Sequence, residues 1–301
     1  MFIDDKNCPL CKTSSHFLVI KDSFQHFKCT DVNCALIFVY PPPSNLDEVY
    51  KCNLDFDAHD SNVLIESPKV KSTLNIAIAR RLITERCLSK VLDVGCGSGN
   101  FILGIQDLVS DVLGVEPNKH AASHCKRLGL NVRNEFFSAV NLKKGDFELI
   151  NIADVIEHVA DPRSLIKDAI DLMSERGILI IRTPNLDSLW SKQTYLLSKW
   201  LGIPWSSLTP PEHLSNFSLI GLTNLLNEEK LKIESIMNEP PSLMYELGQL
   251  HLRKDLVRMP SFRRLVKLFL GYSSYTIVYL FNQIIRPFLK TNFSQTIIAK
   301  K

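Results

Sequence analysis

The segment that most constrains the fold is a glycine-rich turn after a short apolar run. Residues 91–101 read Val-Leu-Asp-Val-Gly-Cys-Gly-Ser-Gly-Asn-Phe, so a β-rich run leads through three glycines into a helical pattern. Glycines let the backbone turn tightly and let a ligand approach where a Cβ would stand in the way. In an open α/β sheet such a turn lies at the carboxyl ends of the strands, where ligands bind. The turn therefore predicts a ligand-binding α/β domain.

The pattern on both sides of the turn alternates between strands and helices. A helix is predicted over residues 70–88, opened by Ser67 as N-cap and Pro68 at the first helical position. Strands are predicted over residues 90–94, 111–116, 131–137, 147–153 and 177–182, helices between them over 101–108, 120–128 and 161–176, and two last strands over 231–237 and 294–300. This alternation predicts a mainly parallel sheet with helices on both faces.

Two classes of cofactor compete for the glycine turn. A dinucleotide-binding turn has the pattern Gly-x-Gly-x-x-Gly, but Asn100 stands where its third glycine should be. Asp93 precedes the first glycine by two residues, and the run resembles motif I of class I S-adenosylmethionine-dependent methyltransferases, Asp-x-Gly-x-Gly-x-Gly. Taken alone, the same three glycines could also form an ordinary strand-to-helix connection.

Two later segments carry the same resemblance. Residues 154–162 read Asp-Val-Ile-Glu-His-Val-Ala-Asp-Pro, similar to the EHV-x-DP segment of a superfamily that includes ubiquinone-biosynthesis O-methyltransferases and many small-molecule and sugar methyltransferases. Residues 211–218 read Pro-Glu-His-Leu-Ser-Asn-Phe-Ser and resemble the H-L-x-x-F-S segment of that group. The resemblance extends over residues 70–240 and the final strand. It implies a Rossmann-like, seven-stranded, mainly parallel sheet with an antiparallel last strand.

The resemblance implies S-adenosylmethionine as the cofactor. Glu116 ends the second strand, 21 residues after Gly95, and a carboxylate there can accept hydrogen bonds from both ribose hydroxyls. A nicotinamide-binding fold uses the same device, and Glu116 could also be a solvated strand end. The cofactor-binding residues that follow from the resemblance are Asp93, Gly95, Cys96, Gly97, Gly99, Glu116, Pro117, Asn118 and Asp154.

Methyl transfer to a hydroxyl oxygen needs a base beside the reacting atoms. His158 and His213 are the candidate bases, because histidine titrates near neutrality, and Glu157 is a candidate to orient one of them. Simpler interpretations stay open at this point. His158 could be a core histidine with satisfied hydrogen bonds, and Asp154 could cap a helix.

The first four of the eight cysteines form a cluster with metal-ligand spacing. Cys8 and Cys11 are separated by two residues, and Cys29 and Cys34 follow after 17 residues and are separated by four. Four thiolates can close a tetrahedral structural zinc site, although incidental buried cysteines are the alternative. The segment resembles a Cys-rich module that precedes some bacterial small-molecule methyltransferases, from which it departs by the longer second spacing and by Ala35 in place of glycine. We predict a zinc-ribbon-like module over residues 1–45 and a methyltransferase domain over residues 46–301.

Charge and hydropathy limit the partners. The net charge of +3 is small for 301 residues, so no nucleic-acid partner is expected. With no signal sequence and no long apolar run in the chain, we expect a soluble, cytoplasmic protein. A helical insert is predicted over residues 240–292, where residues 251–290 hold eight Lys or Arg and one acid, Asp255. The insert is either a lid with a solvated basic face or a patch that contacts an anionic lipid surface or a phosphate-bearing substrate.

The sequence thus favours an S-adenosylmethionine-dependent methyltransferase that acts on a hydroxyl of a small-molecule, sugar or lipid-linked acceptor. Two other classes of function remain open. One is a non-catalytic S-adenosylmethionine-binding or assembly protein whose zinc module contacts a partner. The other is a nicotinamide-dependent oxidoreductase, which Asn100 and the segment over residues 157–159 disfavour.

Overall fold

The computed structural model describes residues 5–44, 73–203, 205–240, 243, 247, 260–285 and 293–301. The strands in these ranges are β1 (Lys6–Asn7), β2 (Ser14–Lys21), β3 (Phe24–Cys29), β4 (Ile37–Val39), β5 (Lys90–Val94), β6 (Asp111–Val115), β7 (Val132–Arg133), β8 (Phe147–Ala153), β9 (Met173–Pro184), β10 (Ser215–Asn216), β11 (Lys232–Glu239) and β12 (Ser294–Lys300). The helices are α1 (Leu74–Arg86), α2 (Asn100–Ile105), α3 (Lys119–Arg127), α4 (Pro162–Leu172), α5 (Leu189–Leu201), α6 (Leu219–Glu228) and α7 (Ser261–Ile285).

The larger sheet has the strand order β11-β12-β9-β8-β5-β6-β7. Strands β7, β6, β5, β8 and β9 run parallel, whereas β12 lies antiparallel to both of its neighbours. Within the described residues this is the predicted seven-stranded, mainly parallel sheet with an antiparallel last strand, so the Rossmann-like fold class is confirmed. From β5 the chain adds β6 and β7 on one side of the sheet and then β8 and β9 on the other side. This change of direction places a ligand crevice at the carboxyl end of β5.

Side chains of the central strands alternate between two apolar cores. Leu92 of β5 and Ile150 of β8 belong to the cluster on one face, whereas Val91 and Leu149 belong to the cluster on the other. Successive residues of a strand point to opposite faces, so a run that is apolar at every position is buried on both sides. Strands β5 and β8 are therefore buried on both faces at the centre of the sheet, and the site residues extend from their ends.

Two predicted boundaries were wrong. The helix predicted to reach residue 176 ends at Leu172, because Met173 pairs with Phe147 of β8 and begins β9 with a fully buried side chain. The strand predicted over residues 131–137 is only Val132–Arg133, followed by a 3-10 turn at Phe137–Ala139. Apolar spacing alone does not fix where a short helix stops and a strand starts. The helix start predicted at residues 67–68 lies outside the described residues.

A second sheet, with the order β1-β2-β3-β4-β10, joins the N-terminal residues to the methyltransferase-like part. Its last strand, β10, comes from far along the chain, and Ser215 and Asn216 pair with Phe38 and Ile37 of β4. The backbone N–H of Val39 also donates to the carbonyl of Leu214 at 2.9 Å. The division of the chain at residue 45 stays a prediction.

The described part of the predicted insert over residues 240–292 contains α7, which packs on α5. Trp190 of α5 and Tyr275 of α7 meet edge to face with their ring centroids 5.4 Å apart, and both side chains are fully buried. Asn282 of α7 donates a hydrogen bond to Gln193 of α5 at 2.6 Å. Among the helices of the described residues, none combines the length and the apolar character needed to cross a bilayer.

Candidate active site

The three glycines of the turn between β5 and α2 all have positive φ, +68° at Gly95, +52° at Gly97 and +82° at Gly99. A Cβ on Gly95 would lie 2.5 Å from Cγ2 of Val155, and a Cβ on Gly99 would lie 2.5 Å from Cδ1 of Leu130. A Cβ on Gly97 would meet nothing within 4 Å. Packing therefore requires glycine at two positions, and the third borders open space that a ligand can enter.

The carboxylate of Glu116, which follows β6, is tied to this turn. One oxygen accepts a hydrogen bond from the backbone N–H of Gly97 at 2.9 Å, and the other accepts from the N–H of Asn118 at 2.7 Å. Burial raises the pKa of Glu116, and these two backbone hydrogen bonds oppose that shift. Asn118 in turn caps α3 by accepting from the N–H groups of His120 and Ala121. The acid is therefore held in one place before any ligand binds.

A buried polar chain supports the turn from behind. Asp93 is 2% exposed, and its Oδ1 accepts a hydrogen bond from the side-chain amide of Asn151 at 2.7 Å. The side-chain oxygen of Asn151 accepts from the amide of Asn75 in α1 at 3.2 Å. Burial raises the pKa of Asp93 to about 7, although the hydrogen bond from Asn151 opposes this. Oδ2 of Asp93 has no hydrogen-bond partner in the described part of the chain.

Asn75 and Asn151 were missed from the sequence. The one available signal was Asn151 itself, a polar residue in the middle of the apolar run Phe147–Ala153. An amide that is buried in a central strand needs hydrogen-bond partners, and this requirement points towards a neighbour such as Asp93.

The two predicted histidines lie together beyond the end of β8. The rings of His158 and His213 are 4.8 Å apart and almost perpendicular. Nδ1 of His158 donates to the backbone carbonyl of Glu212 at 2.8 Å, which leaves Nε2 of the neutral ring as an acceptor. Burial lowers the pKa of His158, so the imidazole is neutral at pH 7 and can accept a proton.

Glu157 connects this histidine pair to the rest of the fold. Its carboxyl group accepts a hydrogen bond from Thr183 at 2.9 Å, and its backbone carbonyl accepts from the N–H groups of Leu214 (2.8 Å) and Ser215 (3.0 Å). Burial raises the pKa of Glu157 to about 8 and so favours the protonated form of its carboxyl group. Glu157, His158 and His213 each offer one possible metal-ligand atom, and these three atoms lie within 4.8 Å of one another. This spacing would also admit a metal ion.

Asp154 has a different role from the helix cap that its position allowed. It lies at the end of β8 with a φ of +54°, and its carboxylate forms an ion pair with Arg182. Arg182 donates a second hydrogen bond to Glu239 at 2.8 Å. This ion-paired cluster holds the backbone after β8 on the same sheet edge as the glycine turn.

Residues 69–236, more than half of the chain, match a family of methyltransferase domains. The chain belongs to this methyltransferase family. It is an S-adenosylmethionine-dependent methyltransferase, as the resemblance in the glycine turn predicted, and the oxidoreductase alternative falls away.

Relatives of this methyltransferase include enzymes named ubiquinone biosynthesis O-methyltransferase. The one from Methylococcus capsulatus is 28% identical over 185 residues, which is 56% of this chain and 72% of that protein. The one from Pelagibacter ubique is 29% identical over 145 residues, 43% of this chain and 59% of that protein. The methyltransferase thus spans 72% of the first relative and less than two thirds of the second.

Solved structures show how widely the fold is shared. The methyltransferase is similar to the YcgJ protein of Bacillus subtilis, with a TM-score of 0.51 and 14% identity over 75% of this chain and 97% of that one. It is also similar to the [4+2]-cyclase SpnF, with a TM-score of 0.53 and 13% identity over 86% of this chain and 98% of that one. A cyclase with the same fold means that the fold by itself does not name the reaction.

The residues of the methyltransferase fit its cofactor. Three features lie at one edge of the sheet. They are the open space beside Gly97, the buried oxygen of Asp93 without a hydrogen-bond partner in the described residues, and the fixed carboxylate of Glu116. The nine predicted cofactor-binding residues lie at or just after the carboxyl ends of β5 and of its two neighbours in the sheet, β6 and β8. They are Asp93, Gly95, Cys96, Gly97 and Gly99 at the first strand, Glu116, Pro117 and Asn118 at the second, and Asp154 at the third. Their individual roles in binding stay predictions.

The four predicted metal ligands also lie together. The Sγ atoms of Cys8 and Cys34 are 3.7 Å apart, those of Cys11 and Cys29 are 3.4 Å apart, and all four lie within 4.8 Å of one another. A tetrahedral zinc ion with Zn–S bonds of about 2.3 Å separates its sulfur atoms by about 3.8 Å. The cluster therefore fits zinc in size and in donor type.

Proposed function

We propose that this enzyme methylates a hydroxyl oxygen of a small-molecule acceptor. The observation that carries the proposal is the pair His158 and His213, whose rings are 4.8 Å apart at the sheet edge that holds the glycine turn. When bound, S-adenosylmethionine supplies a methyl group on a positively charged sulfur. A hydroxyl acceptor must lose its proton to become a good nucleophile, and an imidazole is the side chain best suited to take that proton near neutral pH.

In this mechanism the chain orients the acceptor and removes one proton. Nε2 of His158 accepts the hydroxyl proton, because the bond from Nδ1 to Glu212 fixes the ring and leaves Nε2 unprotonated. His213 is the second candidate for the same role, and its ring limits where an acceptor can lie. Glu157 acts as a positioning residue, since its backbone carbonyl holds the segment that follows His213.

The proposal extends to the acceptor, to a structural metal ion and to the location of the enzyme. The relatives named as O-methyltransferases support oxygen as the acceptor atom, and a sugar or lipid-linked hydroxyl fits as well as a free small molecule. We propose zinc as a structural ion at the four cysteines, since no open coordination position is suggested. Cysteines that are clustered at metal-ligand spacing suit a reducing compartment, so we propose the cytoplasm as the location. The small net charge of +3 leads us to propose no nucleic-acid partner.

The experiment is a methyl-transfer screen with the purified full chain. Labelled S-adenosylmethionine is incubated with phenolic, sugar and lipid-linked hydroxyl acceptors, and mass spectrometry locates the new methyl group. We expect an O-methyl product, and a fall in kcat of about a hundred-fold or more when His158→Gln and His213→Gln are combined, with cofactor affinity kept. Methylation of nitrogen or carbon, or turnover that survives loss of both histidines, would refute the proposal. Cofactor binding without transfer to any acceptor would favour the non-catalytic alternative.

A further inference from the structure

Helix α7 is apolar on two opposite faces. Its inner face is packed against α5, with Gly271 and Tyr275 buried. Its outer face carries large apolar side chains that are 56–79% exposed, which we call the outer stripe: Phe262, Leu265, Phe269, Ile277, Leu280 and Ile284. At about 100° per residue these six positions fall within an arc of about 120° along the whole length of the helix. Ser273 and Thr276 occupy the arc between Phe269 and Ile277. The stripe therefore consists of two apolar groups on one face, one towards each end of the helix.

The inner face already accounts for the attachment of α7 to the fold. Tyr275 fits against Trp190, and Lys267 donates a hydrogen bond to the backbone carbonyl of Leu201 at the end of α5. The outer stripe contributes nothing to these contacts. Large apolar side chains that share one face of a helix, are not needed for packing and are exposed point to a binding partner.

The charges around the stripe indicate the kind of partner. Arg263, Arg264 and Lys267 lie in the first two turns of α7, and residues 268–285 carry no charge. No Asp or Glu follows Asp255 anywhere in the sequence. At about 100° per residue Arg263 lies just beyond one edge of the stripe, whereas Arg264 and Lys267 lie on the opposite side of the helix. An apolar stripe bordered by a cation, on a helix without Asp or Glu, matches the interface of an anionic bilayer, where apolar side chains enter the acyl boundary and cations meet phosphates. Two copies of this surface packed in parallel would instead bring their own cations together.

A second element presents an exposed aromatic side chain near the N-terminal part of α7. Trp200 of α5 is 77% exposed and directly precedes Leu201, whose carbonyl contacts Lys267. Tryptophan favours the level of the lipid headgroups, since it combines a large apolar ring with a polar N–H.

We propose that the outer stripe of α7 binds the surface of an anionic lipid bilayer, with the helix lying parallel to the membrane plane. The six stripe side chains enter the boundary between headgroups and acyl chains, and Arg263 contacts lipid phosphates. This docking goes beyond the proposed function, since it does not depend on which hydroxyl the enzyme methylates.

The test is co-sedimentation of the full chain with vesicles. Wild-type protein is compared on phosphatidylcholine vesicles and on equal mixtures of phosphatidylcholine and phosphatidylglycerol. We expect binding to the mixed vesicles that falls at least about ten-fold in the double variant Phe262→Ser, Phe269→Ser, because each phenyl group loses its burial. The variant Arg263→Gln should lose about five-fold in affinity, and only on the anionic vesicles. Ile220→Ser, which changes an exposed apolar residue of α6, is the matched control and should bind as wild type does.

Two further readouts distinguish membrane docking from partial unfolding and from self-association. All variants should keep the melting temperature and the S-adenosylmethionine affinity of the wild type, because the stripe lies outside the packed core. Brominated lipids should quench the tryptophan fluorescence of the bound wild type, and less so in Trp200→Phe. The proposal is overturned if the wild type does not bind the mixed vesicles or if the phenylalanine double variant binds them equally well. It is also overturned if ultracentrifugation shows that the stripe mediates self-association without vesicle binding.

Discussion

The carboxylate of Glu116 accepts a hydrogen bond from the backbone N–H of Gly97 at 2.9 Å, which ties the acid after β6 to the turn after β5. These two strands are neighbours in the sheet. The cofactor edge is thus held in one arrangement by the protein itself, and little of it has to reorganise when a ligand arrives.

The first prediction concerns this acid. Glu116→Gln keeps the size of the side chain and removes the charge, so the affinity for S-adenosylmethionine should fall about ten- to a hundred-fold, the usual effect of losing a charged hydrogen-bond acceptor. Calorimetric titration measures the loss, and a parallel titration with NADH should show no binding by either protein. An unchanged dissociation constant in the variant would mean that Glu116 does not contact the cofactor.

The second prediction uses two glycines of one turn as a matched pair. Gly99→Ala places a Cβ 2.5 Å from Leu130 at a positive φ, so it should lower the free energy of unfolding by about 1–3 kcal/mol. Gly97→Ala meets no protein atom within 4 Å, so it carries only the strain of its positive φ, about 1 kcal/mol, and should mainly weaken cofactor binding. Urea unfolding and calorimetry on both variants distinguish the two effects. Equal destabilisation with equal affinities would contradict this division of roles.

The third prediction follows from the buried carboxyl of Asp93, whose pKa is raised to about 7 by burial. Between about pH 4 and pH 7 the folded protein keeps a proton that the unfolded chain releases, so this group makes the protein less stable as the pH rises through that range. Asp93→Asn should therefore be more stable than the wild type at pH 8, by at most about 4 kcal/mol, with the difference vanishing near pH 4. Urea unfolding across this pH range measures it, and a constant difference would exclude Asp93 as its source.

The fourth prediction concerns the pH dependence of turnover. Burial lowers the pKa of His158, so its ring stays neutral below the ordinary histidine value, and kcat should begin to fall only below about pH 6.5. In His158→Gln this acid limb should disappear together with most of the activity. A profile whose acid limb lies above pH 7, or one that His158→Gln leaves in place, would assign the base elsewhere.

The fifth prediction links the cysteine cluster to the acceptor side of the site. Cys34 lies close before β4, and β4 pairs with β10, which directly follows Leu214 and His213. Cys34→Ser should lose bound zinc by elemental analysis and lower kcat, while the S-adenosylmethionine affinity stays near that of the wild type. Cys87→Ser, at an exposed thiol, is the control and should change none of these quantities. Equal loss of cofactor affinity in Cys34→Ser would indicate general unfolding instead.

The features that could be predicted from the sequence are those that depend on residues close together in the chain. The glycine turn, the acid after the second strand and the start of the helix at residue 161 each depend on local geometry. At that helix start Asp161 accepts a hydrogen bond from the N–H of Ser164. Asn75 and Asn151 were missed because their pairing depends on how α1 docks on the sheet, 76 residues away along the chain. The two-residue strand β10 has no periodicity to detect, yet it carries the connection between the two sheets.

The place of β12 in the sheet has a consequence for how the chain is made. Within the described residues β11 forms ladder hydrogen bonds only with β12, and β12 lies between β11 and β9. Synthesis runs from the N-terminus, so α7 is made before the strand that closes this edge, by about 1–3 s at the usual rate of translation. During that interval β11 and the outer edge of β9 both lack their partner in the sheet. This half of the sheet therefore closes in one late step, when β12 pairs with both strands.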